Sequence, residues 1–362
     1  MEALAFDLGR VLFDFDYNLA LKKIEEKIRI PKEEIIQVLF YEGFAEDFER
    51  GKVSSYDFYL KFKEKTGLAL DYQEFVPIWC DIFILKEETL SLIENLKPLY
   101  RIFLISNINE LHYNFLKERY PYVFSLFEKE VLSFKVGFTK PSPQIYDYLL
   151  KEAGLSKEDL VYIDDREDLI EEAKSQGFIS IRFKDIEQCR EELNRLGCFI
   201  PSLEERRGLE RLRDFLMEEN SALLGLGNSL RKDDSLGIEL CRVLKNRITL
   251  KVFEGGVAPE NLSLRSFREF GRLVVLDATP NISENFKVLD LEEVFSLAPF
   301  STHTSLIFFH FLKKELNLDI IFLLVKAESF EFKEGLSSGV DRRKKVVENF
   351  FLLNFSKKGG SR

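Results

Sequence analysis

The chain has few cysteines: Cys80, Cys189, Cys198 and Cys241 among 362 residues, with no CxxC pair. A soluble, reduced, cytoplasmic protein is the plain reading. Long apolar runs are missing too. The longest, such as LIFF and IIFLLV, have the length of a strand, so no membrane insertion is expected. The amino terminus, MEALAFDLG, has neither a positive region nor an extended apolar stretch, and no signal peptide is expected. Basic charge is also short. With 52 Lys and Arg against 62 Asp and Glu, the net charge is −10, and no basic stripe is available to neutralise nucleic-acid phosphates. Methionine occurs only 2 times against 35 Phe, which reads as a style of packing without functional content.

What is present is enough apolar residue, 45%, to bury substantial cores, in a chain long enough for about two domains. In the first half, short β-type runs (LAF, RIFLIS, EVLSF, LVYID, FISIRF) alternate with helical patterns such as SPQIYDYLLKEAG. That alternation predicts a parallel sheet with crossover helices. Residues from about 17 to 85 break it and read as helices, for example PKEEIIQVLFYEGF with Pro31 at a first helical position. They form a cap inserted after the first strand. A charged stretch from Asp185 to Glu219 predicts two helices broken at Pro201, where the domain boundary is placed. A second alternation follows, with strands ALLGLG, ITLKVFEG, GRLVVLDA and LDIIFLLVK. The expected fold is two tandem three-layer α/β domains. The first, 1–200, is a Rossmann-like parallel sheet with a helical cap. The second, 201–362 with its core at about 220–350, is a smaller twisted sheet flanked by helices.

Two sets of would-be metal ligands sit at predicted strand tips, where carboxylates are costly unless a cation or hydrogen bonds satisfy them. Open α/β sheets also put their ligand crevices at such tips. The first set lies in four ordered features: FDLG with Asp7, ISN with Ser106 and Asn107, KPSP with Lys140, and IDD with Asp164 and Asp165. Phosphoryl transfer uses these types: a carboxylate nucleophile, a hydroxyl and a lysine on phosphate oxygens, and carboxylates for Mg²⁺. On these motifs the first 200 residues resemble the haloacid dehalogenase superfamily, in its helical-cap branch. The resemblance implies that Asp7 forms an aspartyl-phosphate and that Ser106, with Asn107 beside it, binds the phosphate. It implies that Lys140 bridges phosphate and nucleophile. It also implies that Asp165, Asp164, Asp7 and the Gly9 carbonyl hold Mg²⁺, acting on a small phosphorylated substrate. Two positions depart from the pattern. Gly9 stands where many family phosphatases carry an acid/base Asp, and Leu169 stands where an Asn often follows the paired acids.

The second set is Asp234, Asp277 and His303, in RKDDSLG, RLVVLDA and FSTH. A mixed oxygen and nitrogen set suits a borderline metal such as Ni²⁺ or Zn²⁺. Asp233 reads as a helix cap, and Gly227 as a tight turn. His112 and His310 read as packed core residues. GNSLRKDDSLG, FEGGVAPENL, VVLDAT and FSTHTSL together resemble the NiFe hydrogenase maturation endopeptidases, over roughly residues 220–350. That resemblance implies that Asp234, Asp277 and His303 grip nickel already carried by the hydrogenase large-subunit precursor, whose short C-terminal extension is then removed. It makes the chain a nickel-sensing hydrolase. Glu254 is read either as positioning substrate or water, or as a capping or turn residue, and Glu260 and Asn261 as loop contacts to the precursor. The expected function is a fusion of this endopeptidase with a Mg²⁺-dependent phosphatase-type domain. The alternative is a small-molecule phosphatase whose C-terminal domain only binds hydrogenase.

Overall fold

The computed structural model describes residues 1–25, 27, 44–218, 220–297 and 303–357. The helix expected at PKEEIIQVLFYEGF falls almost wholly outside them. The chain forms two compact units, Met1–Ile200 and Pro201–Arg362. Among the described residues no helix is long and apolar enough to cross a membrane.

In the first unit, β1 (Ala3–Phe6), β4 (Arg101–Ser106), β5 (Lys129–Leu132), β6 (Leu160–Asp164) and β7 (Ile179–Arg182) form one parallel sheet in the order β5-β4-β1-β6-β7. β1, β4 and β6 are buried almost throughout. Helices cover both faces, so these strands read as continuous apolar runs and not as alternating ones. β1 lies at the centre, with β4 on one side and β6 on the other. Its carboxyl end is therefore a topological switch point, where such sheets hold their ligands.

β2 (Phe13–Phe15) and β3 (Phe83–Leu85) pair antiparallel and bracket the helical insertion. Ser54 caps the helix Ser55–Thr66 and Asp71 forms a capping box with Glu74 before Tyr72–Cys80. The insertion has its own core, in which Phe48, Phe58, Phe62, Phe75 and Trp79 pack ring against ring. Part of the chain's phenylalanine is used here.

In the second unit, β8 (Ser221–Leu226), β9 (Lys251–Gly256), β10 (Arg272–Thr279), β11 (Phe286–Asp290) and β12 (Asp319–Lys326) run in the order β11-β12-β10-β8-β9. All are parallel except β11, an antiparallel edge strand that the sequence pattern did not indicate. One face is covered by Leu291–Leu297 and His303–Leu316, through Val294, Leu306, Phe309 and Leu312. On the other lies the helix Leu236–Leu244, pressed onto the sheet by glycines. A Cβ on Gly225 would sit 2.1 Å from the Gly237 carbonyl oxygen, and one on Gly237 would sit 2.2 Å from that of Leu276. Only backbone meeting backbone brings the helix this near. That closeness positions the loop in front of it.

Candidate functional site

The first site forms at the end of β1. Asp7 continues the strand, its amide donating to the Ile163 carbonyl at 2.9 Å. The buried Lys140 ammonium donates to Asp7 Oδ1 and to Asp164 Oδ2, each at 2.6 Å, and to the Ile105 carbonyl at 3.2 Å. Asn107 holds the Lys140 backbone from both sides, accepting from its amide at 2.7 Å and donating to its carbonyl at 3.0 Å. Asp164 also accepts from the Arg166 amide at 2.9 Å and from the Tyr162 hydroxyl. Carboxylate oxygens of Asp7, Asp164 and Asp165 lie within 4.8 Å of one another. Ser106 is buried at the end of β4, directly before Asn107. The expected side chains therefore converge, and Gly9 lies beside them. A Cβ on Gly9 would stand 3.7 Å from Asp7 Oδ2 and 3.1 Å from the Phe15 ring.

Electrostatics make this arrangement unsatisfied on its own. Burial pushes the Asp7 carboxyl up to about 7, with Lys140 opposing and Asp164 adding to the rise. Asp165 is raised by burial and then by Asp164. Burial alone would lower Lys140, but Asp164 and Asp7 outweigh it and hold the ammonium charged. Three carboxylates against one ammonium leave an excess negative charge in an all-oxygen corner, which fits a hard divalent cation such as Mg²⁺. Leu169 is buried in the helix Glu167–Ser175 and offers no polar atom. His112 is buried among Tyr17, Trp79 and Phe83, and burial lowers it to about 4, as befits a neutral packing residue.

The second site is a cleft of about 650 Å³ lined by Gly227, Arg231, Asp234, Glu260, Asp277 and Thr279, among others. The loop before Leu236–Leu244 closes on itself: Asn228 donates to the Asp234 carbonyl, and the Asp234 amide to that of Arg231, both at 3.0 Å. Gly227, at φ +125°, is required here, because a Cβ would fall 1.6 Å from the Asp234 carbonyl oxygen. Asp277 projects from β10. Burial pushes its carboxyl up to about 7, the Ala278 amide at 2.8 Å lowering it and Asp234 adding repulsion. Asp234 is raised by burial, with Arg231 opposing. The two carboxylates thus share one cleft and act on each other. His303 heads the helix His303–Leu316, but its side chain lies outside the described residues. Leu306, one turn on, lines the same cleft.

Three expectations are corrected. Asp233 does not cap its own helix. It is fully buried and accepts from the amides of Glu328 (2.8 Å), Ser329 (2.7 Å) and Ser337 (2.7 Å) and from the Ser337 hydroxyl (3.0 Å), tying down the segment after β12. Burial raises its pKa, but these hydrogen bonds outweigh it and leave the group below the usual carboxylate range. Glu254 is not brought to the cleft. It is exposed on the edge strand β9 and pairs with Arg242 at 3.1 Å and Lys245 at 3.7 Å, while Glu260 of the next loop lines the cleft. His310 is exposed beside Phe295 and not packed in the core. Sequence reasoning missed Arg231. The signal was a cation three residues before Asp234, in the same loop.

The first unit carries a haloacid dehalogenase-like hydrolase domain: residues 1–177 match the model of that family. Within that class, the chain is similar to the D-ribitol-5-phosphate phosphatase of Bacteroides thetaiotaomicron, at 25% identity over 197 residues, spanning 52% of this chain and 95% of that one. It is similar also to the structure of a family enzyme from the same organism in complex with magnesium and inorganic phosphate (25% identity, TM-score 0.47, 51% of this chain and 94% of that one). A further similarity is to the NiFe hydrogenase maturation protease of Thermococcus kodakarensis, at 20% identity and TM-score 0.34, covering 40% of this chain and 99% of that one.

Proposed function

We propose that the first unit hydrolyses a small phosphate monoester through an aspartyl-phosphate on Asp7. The observation that carries this reading is the Lys140 ammonium held at 2.6 Å from both Asp7 and Asp164. It opposes the protonation that burial favours at Asp7 and sets a positive charge beside the nucleophile, where the phosphate oxygens would arrive. Ser106 and Asn107 bind the transferred group. Asp7, Asp164, Asp165 and the Gly9 carbonyl would hold Mg²⁺, which supplies charge neutralisation on the phosphate. D-ribitol 5-phosphate, named for the Bacteroides relative, is the first polyol ester to assay. Hydrolysis of an aryl phosphate that needs Mg²⁺ and is lost in Asp7→Asn is the expected result, and hydrolysis unaffected by Asp7→Asn rules this reading out.

We infer for the second unit an endopeptidase that trims the C-terminus of a NiFe hydrogenase large-subunit precursor. Two mutually repelling carboxylates in one cleft, Asp234 and Asp277, support it. In this reading they and His303 grip nickel that arrives on the substrate, and the peptide beyond it lies in the cleft. Incubation with nickel-loaded precursor should shorten it. Asp234→Ala or His303→Ala should abolish the cut, and Asp7→Asn should leave it intact. A cut that persists in both nickel-site variants excludes the endopeptidase. Precursor retained without being shortened would favour the alternative, a hydrogenase-binding module attached to a phosphatase.

A further inference from the structure

The first site lacks a group that ester cleavage needs. Expelling an alkoxide from phosphorus is slow unless a positioned acid protonates it, a contribution of about 10²–10⁴-fold. The position two residues past Asp7 faces the Asp7 carboxylate but is Gly9, with no acid to offer. His112 does not fill the gap, since burial lowers it to about 4 and near neutrality it is a neutral imidazole, without the acidic second proton of an imidazolium.

Glu49, from the helical insertion, meets the requirement. It ends the short helix Phe44–Glu49 and is half-buried. Its backbone carbonyl accepts from the Ser133 hydroxyl at 2.6 Å. The same hydroxyl accepts from the Ile108 amide at 3.0 Å and has the Ile108 carbonyl at 3.1 Å as a second, longer acceptor sharing its one proton, which ties Glu49 to the loop carrying Ser106 and Asn107. Just beyond, Gly51 (φ +69°) presses bare backbone onto the same element, where a Cβ would lie 2.1 Å from the Phe134 carbonyl oxygen. The insertion is thus seated through its main chain at this point, and the Glu49 side chain remains available for chemistry. The charged groups that act on it are Glu46 from its own helix and Arg166 and Lys140 from the loops around Asp7, and Glu49 in turn acts on Tyr17. Glu46 is itself paired to Arg50 at 2.7 Å. Burial and then Glu46 push the Glu49 carboxyl up to about 6, against Arg166 and Lys140. It can hold a proton where an ordinary glutamate cannot.

We propose that Glu49 is the acid that protonates the leaving oxygen, in place of the carboxyl that Gly9 does not provide. The inference rests on the phosphatase reading of the first unit. In the first half-reaction an Asp7 oxygen bonds to phosphorus, the ester P–O bond breaks, and the Glu49 proton passes to the departing oxygen, which leaves as an alcohol. In the second, water bonds to phosphorus while giving its proton to the Glu49 carboxylate. The P–O bond to Asp7 then breaks, inorganic phosphate departs, and both side chains return to their starting states.

The test compares Glu49→Gln with the unaltered full chain, at saturating Mg²⁺, on glycerol phosphate and 4-nitrophenyl phosphate. A nitrophenolate leaves without needing a proton, and an alkoxide does not. The variant should lose about 100-fold or more in kcat on the alkyl ester, and at least about tenfold less on the aryl ester. The unaltered chain should also lose alkyl-ester activity as pH rises through about 6, and that limb should be missing in the variant. Glu49→Asp, which keeps a carboxyl, should retain alkyl-ester turnover and the limb, and it serves as the check if the Gln variant folds poorly. Equal losses on the two esters, or no loss, overturn the proposal while leaving the phosphatase reading in place. An unaltered chain that hydrolyses neither ester removes both.

Discussion

Both units set carboxylates at the carboxyl ends of parallel strands, yet they treat the resulting charge in opposite ways. In the first unit Lys140 reaches Asp7 and Asp164 at 2.6 Å each, and the negative cluster comes with its own cation. In the second, among the described residues, no lysine or arginine stands within ion-pair distance of Asp234 or Asp277, and Arg231 acts on Asp234 only from further away. The first arrangement sets a fixed positive charge against the rise that burial gives Asp7. The second leaves two acids opposing each other until something positive arrives. In the proposed endopeptidase that positive group would be a cation arriving on the substrate, and a built-in lysine would compete with it.

This contrast can be broken by substitution. Lys140→Met should have the largest effect, because it strands two buried carboxylates. We expect loss of phosphatase turnover and a loss of about 3–5 kcal/mol in the stability of the first unit, read from denaturant midpoints. Next comes Asp233→Ala, which leaves three amides without their charged acceptor. It should cost the second unit about 3 kcal/mol, read as a lower Tm, whereas Asp234→Ala beside it should cost little. Asp277→Asn sharpens the comparison through pH. The folded pKa of Asp277 is raised to about 7, above the ordinary carboxylate value of 3.8. Its contribution is therefore fully present below about 4 and is lost as pH rises towards 7, so stability falls across that window. In the Asp277→Asn variant this part of the slope should be absent, and a slope unchanged by the substitution contradicts the burial of the carboxyl. Smallest is Glu254→Gln, an exposed pair worth about 0.5 kcal/mol or less by thermal denaturation, with no effect on precursor trimming.

The sequence made the first site legible because four motifs in order had to meet at one switch point, and Asp7, Lys140 and Asp164 do so. Asp277 was legible for a similar reason, as an acid closing an apolar run, and Asp234 as an acid in the loop that follows one. What was not legible depends on distant partners. Asp233 and Asp234 are adjacent and chemically identical, but the amides of Glu328, Ser329 and Ser337 claim the first, and nothing local marks that. Glu254 looked well placed in FEGG, yet its position on the edge strand turns it to Arg242. β11 escaped because it is a five-residue edge strand interrupted by Lys287, too short to show a period. Glu49 carried no motif of its own. Its significance comes only from the insertion resting on Ser133.

The most direct measurement uses enzyme stripped of metal by a chelator and then desalted, added to nickel-loaded large-subunit precursor with no free metal present. Shortening of the precursor by the stripped protein, absent in Asp234→Ala and in Asp277→Ala, is the expected result. Shortening that requires free metal to be returned to the enzyme, or that survives both substitutions, contradicts a cleft built to take its cation from the substrate.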